Sequence, residues 1–172
     1  MHTGMENSAR FMKATFAAGC FWDVEAAFRQ VNGVVETVAG YTGGTDPNPI
    51  YAEVESGTTS HREAVGIVFD PVVVPYERLL DRFWEIHDPT QEDGQGEYVG
   101  SHYRSAIFFF DDEQRSAALR SRDALVAAKR YGNRPILTEI LPASAFWPAD
   151  ECHQRFYEKC GQGYGTSRKI WD

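Results

Sequence analysis

The change of pattern at Gly19 constrains this chain more than any other feature. From Lys13 to Ala18 a short mixed run reads as a strand. Beyond Gly19 the apolar residues Phe21, Val24, Phe28 and Val31 recur three or four apart, the spacing of a helix that buries one face. Asn32-Gly33 breaks that pattern, and Val34 to Tyr41 is rich in β-branched residues suited to a second strand. A βαβ start follows, with Cys20 at the strand-to-helix junction.

The segment from Thr42 to Tyr51 carries Gly43, Gly44, Pro47 and Pro49, too many breakers for a regular element, and reads as an ordered loop. Glu63 to Phe69 is the next predicted strand. A helix follows from Pro75 to His87 on the stripe Leu79, Leu80, Phe83 and Ile86. Asp88 to Gly100 reads as a second long loop, leading into a strand from Arg104 to Phe110. Asp111 or Asp112 caps a helix running to about Tyr131, which Gly132 ends. Pro135 to Leu141 alternates like a strand, a short helix starts near Pro148, and the tail Gly161 to Asp172 is irregular.

Strands and helices mixed in this way, without the Gly-rich βα repeat of a dinucleotide fold, predict an α+β protein: a two-layer α/β sandwich of ferredoxin-like kind. Its sheet would be mixed but mainly antiparallel, with flanking helices and long ordered loops. A chain of 172 residues buries roughly two-thirds of its unfolded surface, so one domain over residues 11–172 suffices, preceded by an unpatterned polar segment, residues 1–10.

Twenty-five acidic against 17 basic side chains give a net charge of −8, which repels nucleic-acid backbones and anionic membranes. No apolar run reaches signal-peptide or membrane-span length, so the expectation is a soluble, cytoplasmic protein, monomeric for want of an apolar surface helix. The three cysteines, Cys20, Cys152 and Cys160, form neither a disulfide framework nor paired zinc knuckles. Cys152, His153, His87 and His102 match no standard zinc spacing, and no metal or cofactor is expected.

A thiol acts as a nucleophile only as thiolate, and a helix N-terminus stabilises that anion. Cys20 is placed for this, but Asp23 and Glu25 in the first turn oppose it. The expected depression of its pKa in the free protein is modest at most, with activation waiting for substrate.

The residues around Cys20 say more than its type. AAGCFWDVEAAF, with Gly19-Cys20-Phe21-Trp22 at its centre, and AGYTGG at Ala39 to Gly44 resemble the signature of the A-type peptide methionine-S-sulfoxide reductase family. The resemblance continues through NPIYAEV (Asn48 to Val54), SGTTSHREAV (Ser56 to Val65), HDPTQ (His87 to Gln91), GSHYRSAIF (Gly100 to Phe108) and His153-Gln154, covering about Thr15 to Tyr164. It implies that Cys20 attacks the sulfur of methionine S-sulfoxide, free or in proteins, and becomes a sulfenic acid. It further implies that Glu63 protonates the sulfoxide oxygen, that the hydroxyls of Tyr51 and Tyr103 hold that oxygen, and that Phe21 and Trp22 form the pocket for the methyl group. Thioredoxin is the reductant it implies.

Two positions depart from the family pattern. An aspartate usually stands two residues before the glycine matched by Gly100; here Tyr98 occupies that position with Glu97 beside it, and both are candidate substrate-binding residues. The resolving cysteine usually follows Gly-Tyr in the tail, where this chain reads Gly163-Tyr164-Gly165. Cys160 is the substitute, Cys152 the alternative, and direct attack by an external thiol a third route. A binding or sensing domain with the same pocket and no turnover is the rival reading.

Overall fold

The computed structural model describes residues 10–160. Strand β1 (Met12–Ala17) leads into helix α1 (Phe21–Arg29) and strand β2 (Val34–Thr42). A short helix α2 (Tyr51–Glu55) precedes β3 (Arg62–Phe69), and α3 (Tyr76–Glu85) follows with Pro75 as its N-cap. A two-stranded hairpin, β4 (Gly94–Gln95) and β5 (Tyr98–Val99), and a 3₁₀ turn (Ser101–Tyr103) lead to β6 (Ala106–Phe109). Helix α4 (Asp112–Ala127), strands β7 (Glu139–Pro142) and β8 (Trp147–Pro148), a 3₁₀ turn (Glu151–His153) and helix α5 (Phe156–Lys159) complete the order.

The main sheet runs β7-β6-β1-β3-β2-β8, antiparallel at every pairing except β6 with β7, which are parallel. The mixed, mainly antiparallel sheet is the one the sequence predicts. Its core-facing side meets α1, α3 and α4. Phe16 on β1, fully buried, stacks on Phe28 of α1 at 5.1 Å and on Phe83 of α3 at 5.2 Å, fastening both helices to the central strand. On the opposite side a smaller cluster of Ala17, Ala64, Ala106 and Phe108 lies under Leu141, Ala143 and Phe146.

Several elements differ from the sequence reading. Helix α1 stops at Arg29, two residues before Val31, because Gly33 turns the chain (φ +102°) to bring β2 back antiparallel to β3. Helix α4 is capped as expected, Asp111 accepting from the Gln114 N–H at 2.8 Å, but ends at Ala127, well before Tyr131. There Lys129 adopts φ +54°, and Lys129 and Arg130 donate to the carbonyls of Val126 and Leu125, a Schellman closure that ends the helix before Gly132, the expected stop.

The predicted strand from Pro135 pairs only from Glu139, since the Leu137 N–H turns away to the Pro89 carbonyl. Likewise the strand predicted from Arg104 begins at Ala106, because the 3₁₀ turn holds the preceding residues. The single helix expected from Pro148 does not form. Trp147 and Pro148 pair with β2 as an edge strand, and left-handed Arg155 (φ +49°) separates the 3₁₀ turn carrying Cys152 from α5. Arg10, assigned to the leading segment, pairs with Asp70 at 2.5 Å. The predicted irregular tail lies outside the described residues.

Candidate active site around Cys20

Cys20 is the N-cap of α1, reached through Gly19, whose φ of +97° suits a residue without a side chain. Its carbonyl accepts the first helical bonds from Asp23 and Val24. Cys20 is 4% exposed. The N–H groups of Trp22 and Asp23 stabilise the thiolate, as a helix start should, but burial wins: it pushes the thiol well above its ordinary range, and the charges of Glu63 and Asp23 push the same way. The modest depression expected from the sequence is thus reversed in sign, and the resting group is a thiol.

Glu63 sits opposite Tyr41 in the β2–β3 ladder and is 1% exposed. Its Oε1 accepts the Phe21 N–H at 3.1 Å, which ties the carboxyl to the start of α1. Burial raises its pKa to about 8, against the pull of that N–H and with help from the charges of Glu55 and Asp23. At neutral pH it therefore holds a proton beside the buried thiol.

Of the polar residues the sequence nominates around the substrate, all but one converge here. Tyr51 comes from α2, Tyr103 from the 3₁₀ turn after the hairpin, and Tyr98 from β5; the rings of Tyr98 and Tyr103 are 5.3 Å apart. The Tyr98 hydroxyl is directed at the Cys20 sulfur, and burial first, then Cys20, Asp23 and Glu63, raises its pKa to about 12. Burial likewise raises the Tyr51 and Tyr103 hydroxyls, so all three are donors at neutral pH. Glu97 is the exception: it lies exposed in the hairpin turn, and Tyr98 is the member of the pair that faces Cys20.

Phe21 is 1% exposed and Trp22 half-buried. Two aromatic partners that the sequence reading left unassigned complete this wall. Phe156 stacks on Trp22 at 3.8 Å, and His153 stands 4.5 Å from the Tyr51 ring and 5.5 Å from Phe21. The Trp22 Nε1–H donates to His153 Nδ1 at 3.2 Å, and burial keeps the imidazole below its usual range, hence neutral. The strap from Asp150 to Cys160 is pinned from below. Gln154 bonds the N–H and carbonyl of Ala39 at 2.8 Å each; buried Glu25 accepts the Arg155 N–H at 2.7 Å; Asp23 accepts the Tyr157 hydroxyl at 2.5 Å. The acids read as opposing the thiolate thus also anchor the strap. The His153-Gln154 pair was the signal for this; its two roles needed the fold.

Cys152 and Cys160 are exposed free thiols at the two ends of the strap, the first beside His153 and the second at the end of α5. His87, which shares no zinc spacing with them, is buried in the core. It bonds the Phe83 carbonyl and the Ser105 hydroxyl, and burial lowers its pKa to about 4. Among the described residues, one group has the proximity to hold a cation: an oxygen each of Glu55 and Glu63 and a ring nitrogen of His102, all within 4.8 Å of one another.

A buried thiol, a protonated carboxyl and hydroxyl donors around one aromatic pocket make a site for moving an oxygen and electrons, the work of an oxidoreductase. A sequence profile of the family described as peptide methionine sulfoxide reductase matches residues 12–170. The chain is 53% identical over 159 residues to the peptide methionine sulfoxide reductase MsrA of Geobacter metallireducens, covering 92% of this chain and 98% of that one. It is 52% identical over 149 residues to that of Methanosarcina mazei, covering 87% and 70%. Among solved structures, reduced Mxr1 from Saccharomyces cerevisiae superposes with a TM-score of 0.85 at 29% identity (95% and 94% coverage). Methionine sulfoxide reductase A of Corynebacterium diphtheriae superposes at 0.84 and 32% (95% and 84%). Mxr1 in complex with Trx2 superposes at 0.60 and 25% (86% of each chain). The protein belongs to the peptide methionine sulfoxide reductase family and is an oxidoreductase.

Proposed function

We propose that this protein reduces methionine S-sulfoxide, free or in proteins, to methionine. The observation that carries the reading is the protonated Glu63 carboxyl held beside Cys20 by the Phe21 N–H. The sulfoxide methyl packs against Phe21 and Trp22 while its oxygen meets Glu63, Tyr51 and Tyr103. Cys20 releases its proton to solvent as substrate binds, its sulfur attacks the sulfoxide sulfur as Glu63 protonates the oxygen, and Glu63 then takes up the equivalent proton. Oxygen passes to Cys20: the sulfoxide gains two electrons, the cysteine loses two, and methionine and a sulfenic acid result.

Cys160, or Cys152 in its place, then attacks the sulfenic acid, forming a disulfide and water, and thioredoxin reduces the disulfide. The Mxr1–Trx2 complex supports that reductant. We read the order β1-α1-β2-β3-α3-β6 as a ferredoxin-like core within one catalytic domain, active as a monomer in the cytoplasm.

Single-turnover reduction of a methionine S-sulfoxide peptide by pre-reduced protein tests the reading, with thiols counted afterwards. Wild type should release one methionine per chain and lose two thiols, and Cys20→Ser should release none. If Cys160 resolves, Cys160→Ser stops at a sulfenic acid while Cys152→Ser still closes a disulfide; the reverse assigns Cys152. No methionine from the wild type refutes the reductase and favours a sulfoxide-binding domain.

A further inference from the structure

Glu55, a residue with no role in the mechanism above, stands inside this site. It is exposed at the end of α2, one turn beyond Tyr51, and its carboxylate approaches both the Tyr51 hydroxyl and the Glu63 carboxyl. Two carboxyls this close resist ionising together, because the second charge meets the first across a poorly solvated gap. Burial decides which of the two keeps its proton, and it is Glu63.

The surroundings strengthen the pairing. From α1, Cys20 and Asp23 face Glu63, the first a thiol and the second an acid. Tyr41 from β2 and Tyr98 from β5 approach it as neutral phenols, as does Tyr103. The imidazoles near Glu55 are those of His102 and His153, and burial holds both below their usual range, so neither supplies a positive charge that would let both acids ionise at neutral pH. His102 Nδ1 is buried without a partner among the described residues.

Resting on the reductase reading, we propose that Glu55 is a positioning residue for the reduction: its carboxyl, an oxygen of which lies within 4.8 Å of one of Glu63, pairs with Glu63 so that the buried carboxyl carries the proton destined for the sulfoxide oxygen. In each turnover Glu63 gives one proton to that oxygen and takes one back, the equivalent released by the Cys20 thiol, so the pair ends as it began. Glu55 faces water and is the route by which the pair exchanges with solvent.

The test is a carbon-13 titration of the full chain labelled at glutamate carboxyls, with the Glu63 resonance assigned by its loss in Glu63→Gln. In Glu55→Gln the Glu63 midpoint should fall by about one pH unit, and in Glu55→Asp it should return most of the way. The alkaline limb of the single-turnover rate should move down in step, with kcat affected and KM changed by less than about twofold. A Glu63 midpoint unmoved in Glu55→Gln overturns the pairing, and a moved midpoint with an unmoved rate profile overturns its part in the reaction. Because the titration needs no turnover, an inactive wild type that still shows the shifted midpoint refutes the reductase reading separately.

Discussion

The main-chain N–H of Phe21 donates to Glu63 Oε1 at 3.1 Å, so the helix that begins at Cys20 starts on the acid itself. One bond across 42 residues of sequence therefore sets the distance between nucleophile and proton donor.

Glu63→Gln preserves that acceptor and removes the acidic proton. Single-turnover rates should fall by about 10²–10⁴-fold with the fold intact. In wild type the rate should decline as pH rises through about 8, where Glu63 loses its proton; in Glu63→Gln that limb should vanish. A rate profile measured from pH 6 to 10 checks both.

The same carboxyl makes stability depend on pH. Its folded value of about 8 lies above the ordinary 4.5, so the native state holds the proton more tightly than the unfolded chain. Stability is full below the ordinary value and is lost as pH rises towards 8. Glu63→Gln should match wild type in urea unfolding at pH 5 and exceed it at pH 9, by on the order of 2–4 kcal/mol.

The Tyr98 hydroxyl, directed at Cys20, should assist the thiolate as it forms. Tyr98→Phe should slow alkylation of Cys20 by iodoacetamide at pH 8 by about three- to tenfold, through a higher thiol pKa and with no change in far-ultraviolet circular dichroism. Equal rates in the two proteins would remove Tyr98 from the site's chemistry.

Gln154 holds the strap on β2 through the N–H and carbonyl of Ala39 and a third bond to the Ala149 carbonyl. Gln154→Ala should cost about 1–3 kcal/mol in denaturant unfolding, because the Ala39 N–H loses its acceptor. It should also raise KM, since His153 loses its seat against Phe21 and Tyr51.

What the residues determined locally was read without the fold. The pattern change at Gly19 put Cys20 at a helix N-terminus, and the blocks around Cys20, Tyr51, Glu63 and Tyr103 singled out residues that do meet in one site. Short elements escaped that reading. Helix α2 and the β4–β5 hairpin lie in stretches broken by glycine and proline, and edge strand β8 contains a proline; tertiary contacts, not local propensity, hold such pieces.

The tertiary structure alone decided the electrostatics. The sequence set Asp23 and Glu25 against the thiolate, and the family resemblance gave Glu63 the proton, but residue type alone says nothing of their solvation: each is buried, and burial gives Glu63 its proton, makes Cys20 a thiol at rest and turns Glu25 into an anchor for the Arg155 N–H. Glu55 gained its place only because α2 set it beside β3. A sequence carries periodicity and residue type, which set helices and strands; the cost of a charge depends on how much water the finished fold leaves around it, and that is a property of residues far apart in the chain.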